Sequence, residues 1–88
     1  MVREKVTVKA KSGLHARPAN LLIKTAQKYK CKVEIEVDNK IFNAKSLIGI
    51  LAAGIDCGTE VSVICTGDDE EAASKEVVEL ITGDMGEE

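Results

Sequence analysis

The apolar residues of this 88-residue chain repeatedly change their spacing, and that alternation narrows the folds open to it. Val2, Val6, Val8 and Ala10 fall on one side of an extended segment, with Arg3, Lys5, Thr7 and Lys9 on the other, as in a half-buried strand. From Ala16 to about Tyr29 the repeat lengthens, and Ala19, Leu22, Ile23 and Ala26 form one helical stripe. Val33, Ile35 and Val37 then alternate with Lys32, Glu34 and Glu36 in a second strand. Asp38-Asn39 reads as a tight turn into a short third strand, Ile41 to Asn43. Ser46 caps a short apolar helix, Leu47 to Ala53, and Gly54 stands where a left-handed C-cap belongs. Val61, Val63 and Cys65 mark a fourth strand. The last helix starts in the acidic run Asp68–Glu71, buries Ala73, Val77, Leu80 and Ile81, and ends at Gly83.

The element order is therefore βαββαβα. Strands that are polar on one side require a sheet with one wet face and helices on the other. This is an α+β open-faced sandwich, a four-stranded antiparallel sheet carrying three helices on one face. So short a chain supports one core, and residues 1–88 are expected to form one domain. That core must be aliphatic, because Tyr29 and Phe42 are the only aromatics. Their scarcity also argues against a nucleic-acid reader, which leans on stacking rings. No apolar run reaches the ~18 residues of a membrane span, and Met1–Lys11 lacks the unbroken apolar core of a signal peptide. Cys31, Cys57 and Cys65 show no C-x-x-C spacing. They read as reduced thiols of a cytoplasmic protein, and with a single histidine no metal site or cofactor is expected.

Charge is divided unevenly along the chain. Residues 1–49 hold 11 Lys/Arg against 4 Asp/Glu, whereas residues 50–88 hold 1 against 11. A solvated last helix accounts for the acidic half. In the basic half, Arg17, Lys24, Lys28 and Lys45 could flank one surface that meets an acidic partner.

The chemistry concentrates in Gly13-Leu14-His15-Ala16-Arg17-Pro18-Ala19, at the start of the first helix. Gly13 permits an unusual loop geometry, and Pro18 falls in the first turn, where its missing N–H costs no hydrogen bond. First-turn amides point outward unpaired with a partial positive charge, so an anion beside His15 would be met by donors. Arg17 adds a planar fork matched to phosphate oxygens. Histidine can attack phosphorus near neutral pH, where much of it is unprotonated. A lone histidine at a helix start is also an ordinary polar cap, and the local chemistry does not separate phosphate binding from phosphoryl transfer.

The segment Lys11-Ser12-Gly13-Leu14-His15-Ala16-Arg17-Pro18-Ala19 resembles the active-site segment of the HPr family, the histidine-containing phosphocarriers of the phosphoenolpyruvate-dependent sugar phosphotransferase system. Lys45-Ser46-Leu47-Ile48-Gly49-Ile50-Leu51, with Gly54 after it, resembles that family's second signature. The resemblance covers essentially the whole chain. It implies that His15 accepts phosphate on Nδ1 from enzyme I and passes it to the A domain of a sugar-specific enzyme II. Arg17 and the Ala16 and Arg17 amides would hold the phosphate. Such a protein is a phosphorylated intermediate and not an enzyme. It is expected to be a monomer, because a carrier must present the same face to successive partners.

Ser46 is a sound N-cap on structural grounds alone. The matching serine of Gram-positive members is phosphorylated by HPr kinase/phosphorylase, and the product serves catabolite control protein A in carbon catabolite repression, so the resemblance implies regulation there. Leu47, Ile48, Ile50 and Leu51 are apolar almost all round a short helix. Ile50 is expected in the core, while Leu47, Ile48 and Leu51 form an exposed docking patch rimmed by Lys24 and Gln27. Asn20, Ile48, Leu51, Cys57 and Cys65 depart mildly from the family pattern. A catabolite-repression branch of the family lacks the active histidine; His15 argues against that branch, while a nitrogen-branch paralogue stays open. An acyl carrier also places its serine before a leucine at a helix start, but it is all-helical and has Asp where this chain has Lys45. A purely regulatory domain, with His15 inert and Ser46 modified, is the other alternative.

Overall fold

The alternating segments pair into one antiparallel sheet. The structure is a computed structural model that describes residues 1–11 and 13–83. Its elements are β1 (Val2–Thr7), α1 (Ala16–Gln27), β2 (Lys32–Val37), β3 (Lys40–Asn43), α2 (Leu47–Ala53), β4 (Glu60–Thr66) and α3 (Glu70–Thr82). The strand order is β1-β4-β2-β3, all neighbours antiparallel. The register Val33↔Cys65, Ile35↔Val63 and Val6↔Val61 brings the apolar members of three strands onto one face. There they meet Ala19, Leu22 and Ala26 of α1, Ile50 of α2, and Ala73, Val77 and Ile81 of α3 in a single aliphatic core. This is the open-faced sandwich that the sequence predicts.

Local chemistry sets the turns. Asp38 and Asn39 both adopt left-handed backbone (φ 53° and 64°), the paired geometry of a two-residue hairpin loop whose twist matches the strands. Two features depart from the expected pattern. β4 is buried on both faces, with Ser62 and Ile64 covered on the outer side. It is an inner strand, and the long side chains of Arg3, Lys5, Glu34 and Glu36 stand beside these two residues in register, with an Arg3–Glu36 ion pair. In α3, Leu80 is only half-buried and Ser74 joins the buried stripe.

The end of the sheet where β4 finishes is tied by side chains that reach across the chain. Asp69 does not cap its own helix. Its two carboxylate oxygens instead accept from the Lys30 and Cys31 amides, each at 2.9 Å. The Lys30 amide first, and then the other donors, hold the Asp69 carboxyl below the ordinary carboxylate range. Lys28 and Tyr29, just past α1, both bond Glu76 of α3, and the tyrosine hydroxyl is pushed up to about 12 chiefly by that hydrogen bond. All three cysteines are unbridged; burial first, then Asp69, pushes the Cys31 thiol up to about 12, and burial raises Cys65.

Asp69→Ala should lower the thermal midpoint at neutral pH by orphaning two backbone amides. Because the folded pKa lies below the unfolded one, Asp69 stabilises the fold above the unfolded value, about 3.9, and that contribution is lost as pH falls through the lower folded value. Thermal unfolding measured from pH 7 to pH 2 should show the wild-type and variant midpoints converging in acid; a gap that persists would remove Asp69 from this role.

Candidate functional site

Two helices of the same layer begin in opposite ways, and the contrast defines the site. At α2, Ser46 is an extended N-cap whose Oγ accepts from the Gly49 amide at 3.1 Å. At α1, His15 is an extended N-cap (φ −85°, ψ −167°) whose side chain makes no capping bond. Its carbonyl accepts from Ala19 at 2.7 Å, so the helix starts properly while the imidazole stays exposed. The third helical residue, Pro18, has no amide to offer and is buried. Among the described residues none accepts from the Ala16 or Arg17 N–H. These two donors, the exposed Arg17 guanidinium and the positive end of a 12-residue helix face the same solvent as the His15 ring. Ser12 lies outside the described residues.

The loop leading to His15 is held from outside. Gly13 has φ +70°, and its N–H donates to Ala10 O at 2.9 Å. The Leu14 N–H donates to Ile55 O at 2.8 Å, and both of these side chains are buried. Ile55 directly follows the left-handed Gly54 cap of α2 (φ 61°), so the exit of α2 rests on the entry to α1.

On α2, Ile50 is fully buried, whereas Leu47, Ile48 and Leu51 are 37%, 80% and 41% exposed, which is the division expected from the sequence. Lys24 and Gln27 are exposed on α1, and the Gln27 amide nitrogen donates to Lys45 O at 3.4 Å. Lys45 has a contact that the sequence does not predict. Its ammonium donates to Tyr29 O at 2.7 Å, just past the end of α1, so it serves the packing of α1 on the Ser46 segment. That contact and the Ile55 support were absent from the sequence reading. The only local sign of the second was a glycine followed by a leucine that had to be buried. Among the described residues no group of three His, Cys, Asp or Glu side chains could hold a metal, and no helix is long and apolar enough to cross a membrane.

The family model described as "PTS HPr component phosphorylation site" matches residues 2–83. HPr-like protein Crh of Bacillus subtilis is 40% identical over 81 residues, 92% of this chain and 95% of that protein. Phosphocarrier protein HPr of Treponema pallidum is 35% identical over 88 residues and covers both chains fully. The crystal structure of an HPr from Thermoanaerobacter tengcongensis superposes with a TM-score of 0.96 at 45% identity, covering 100% of this chain and 99% of that one. The chain belongs to the HPr family of the phosphotransferase system. A dimeric crystal structure of HPr from the same Thermoanaerobacter species also matches, with a TM-score of 0.79 at 45% identity over 99% of this chain and 100% of that one. Its dimeric state weighs against the monomer expected from the sequence.

Titration with inorganic phosphate should shift the Ala16 and Arg17 amide resonances more than that of Gly49, since the Gly49 donor is already spent on Ser46. An equal shift of the Gly49 amide, read by two-dimensional NMR, would remove the distinction between the two caps.

Proposed function

We propose that the chain is a phosphocarrier of the sugar phosphotransferase system, with His15 as acceptor. The observation that carries this reading is a histidine at a helix start beside Arg17 and two first-turn amides that no described residue pairs. Nδ1 of the neutral ring forms a bond to phosphorus as the donor's bond to the same atom breaks, and the ring proton stays on Nε2. The Ala16 and Arg17 amides and the Arg17 guanidinium hold the phosphoryl oxygens throughout. Enzyme I is the donor and the A domain of an enzyme II the recipient, both meeting the patch of Leu47, Ile48 and Leu51 with Lys24 and Gln27 at its rim. The protein works in the cytoplasm as an intermediate and catalyses no turnover alone. Ser46, at the positive end of α2, is the regulatory phosphorylation site, used by HPr kinase/phosphorylase and read by catabolite control protein A.

A second reading has one observation behind it. The chain is also similar to Crh, the Bacillus subtilis catabolite repression HPr, so a member acting through Ser46 alone is the competitor. Incubation with enzyme I and phosphoenolpyruvate separates the two. The phosphocarrier reading expects an acid-labile, base-stable label that His15→Ala abolishes, because no second histidine can substitute. Arg17→Ala should weaken labelling by roughly 1.5–3 kcal/mol, the size of one charge-assisted contact. An unlabelled wild-type protein, or a His15→Ala protein that still takes the full acid-labile label, would sink the acceptor assignment.

Ser46→Asp should slow transfer from enzyme I while leaving the fold intact, because it places a charge beside the apolar patch that an acidic partner approaches. The check is the transfer rate against salt, alongside the thermal midpoint. An unchanged rate at low salt rules out the electrostatic reading.

A further inference from the structure

Gly13 is the one described left-handed glycine near the site where space, and not only backbone angle, forbids a side chain. A Cβ there would lie 2.3 Å from Ile55 O and 2.7 Å from Asp56 Cα. Both are backbone atoms and cannot swing aside. Gly54 and Gly58, in the adjoining segment, are also left-handed (φ +61° and +89°) but have nothing within 4 Å of a built Cβ. So the chain at Gly13 closes directly onto the exit of α2, and the next residue completes the contact through the 2.8 Å bond from Leu14 N–H to Ile55 O. His15 follows at once, exposed and without a side-chain bond of its own at α1.

We infer that Gly13 is a positioning residue for phosphoryl transfer: the absence of a side chain lets the backbone of residues 13–14 dock on Ile55–Asp56, and that docking sets where His15 stands relative to the Ala16 and Arg17 amides. The inference rests on the reading of His15 as acceptor. An exposed ring with no hydrogen bond to the described residues takes its position from the backbone that carries it. The only described backbone bond from the loop segment Gly13–Leu14 to another element goes to Ile55. A displacement of about 1 Å at a reacting group can cost a factor on the order of 100 in rate.

The test compares Gly13→Ala with Gly58→Ala in the full chain. Both variants force alanine into left-handed backbone, so both should melt below wild type, but only the first drives a methyl into Ile55 and Asp56. Gly13→Ala should accept phosphate from enzyme I about ten- to a hundredfold more slowly at saturation. Its half-saturating concentration should stay near wild type, because the exposed side chains of α2 are untouched. The His15 ring resonances should move with it. Gly58→Ala should transfer at the wild-type rate. Should Gly13→Ala fail to fold, a synthetic chain with the α-hydroxy acid of leucine at position 14 deletes the same N–H without adding a side chain, and it should show the same slowed saturating rate. A folded Gly13→Ala or ester chain with a wild-type rate would overturn the inference, as would equal slowing by Gly58→Ala. His15→Ala run in parallel keeps the two readings apart: if it still labels, the acceptor assignment has failed, and if it is dead while Gly13→Ala labels normally, only the positioning role has.

Discussion

Everything in this fold hangs on β4 being an inner strand. It is the last strand in sequence, yet it lies between β1 and β2 and is buried on both faces. Its inner residues Val61, Val63 and Cys65 belong to the one buried cluster that also takes in residues of all three helices, and α3 packs directly on it. A core whose buried members are aliphatic, with Tyr29 and Phe42 only at its margin, tolerates little looseness, because many small contacts must each be made at close range. The neighbours' long charged side chains beside Ser62 and Ile64 complete the shielding of a strand that has no edge.

The same placement determines where the chemistry sits. The end of β1 pairs with the start of β4, Thr7 with Glu60, so the loop that follows β1 and the loop that precedes β4 emerge side by side. The first carries Gly13, Leu14 and His15; the second carries Ile55 and Asp56. Their contact is thus a consequence of sheet order, and Gly13 is what lets the two backbones touch. At the opposite end, β2 starts beside the finish of β4, Lys32 against Thr66, which brings Lys30 and Cys31 within reach of Asp69. The hairpin partner β3 also finishes at that end, and there Lys45 meets the carbonyl of Tyr29.

What the sequence made legible follows this division. Periods of two and 3.6 residues, the Asp38-Asn39 turn, the Ser46 cap and the Gly54 cap are local, and the residues that decide them lie within a few positions of one another. The order of elements and the split of α2 into a buried Ile50 and an exposed Leu47, Ile48 and Leu51 were therefore readable. Asp69 and Lys45 also make contacts that the sequence does not show, for one shared reason. Each carries a charge that suits a generic role, a helix dipole or a partner surface, but each spends it on a backbone group far away in sequence. Pairing those groups requires the strand order, which no periodicity reveals. The buried outer face of β4 was hidden likewise, since Ser62 and Ile64 look like one polar and one stray apolar residue until their neighbours are known.

The topology also bears on how the two proposed phosphorylation sites could share one small surface. Ser46 sits with the end of α1, while His15 sits at its start, and α2 runs back from one toward the other, ending against the His15 loop. Seven residues at 1.5 Å each make α2 about 10 Å long. That is close to the Debye length in physiological salt, roughly 8 Å, so a phosphate on Ser46 is largely screened from the His15 ring through solvent. A charge there would act on whatever is bound over Leu47, Ile48 and Leu51, where a docked partner excludes water and screening is weaker. The apolar patch then becomes the element that connects the two sites. Regulation at Ser46 would govern which partner can settle on α2, while the backbone contact at Ile55 would keep the proposed acceptor in place whatever the state of the serine.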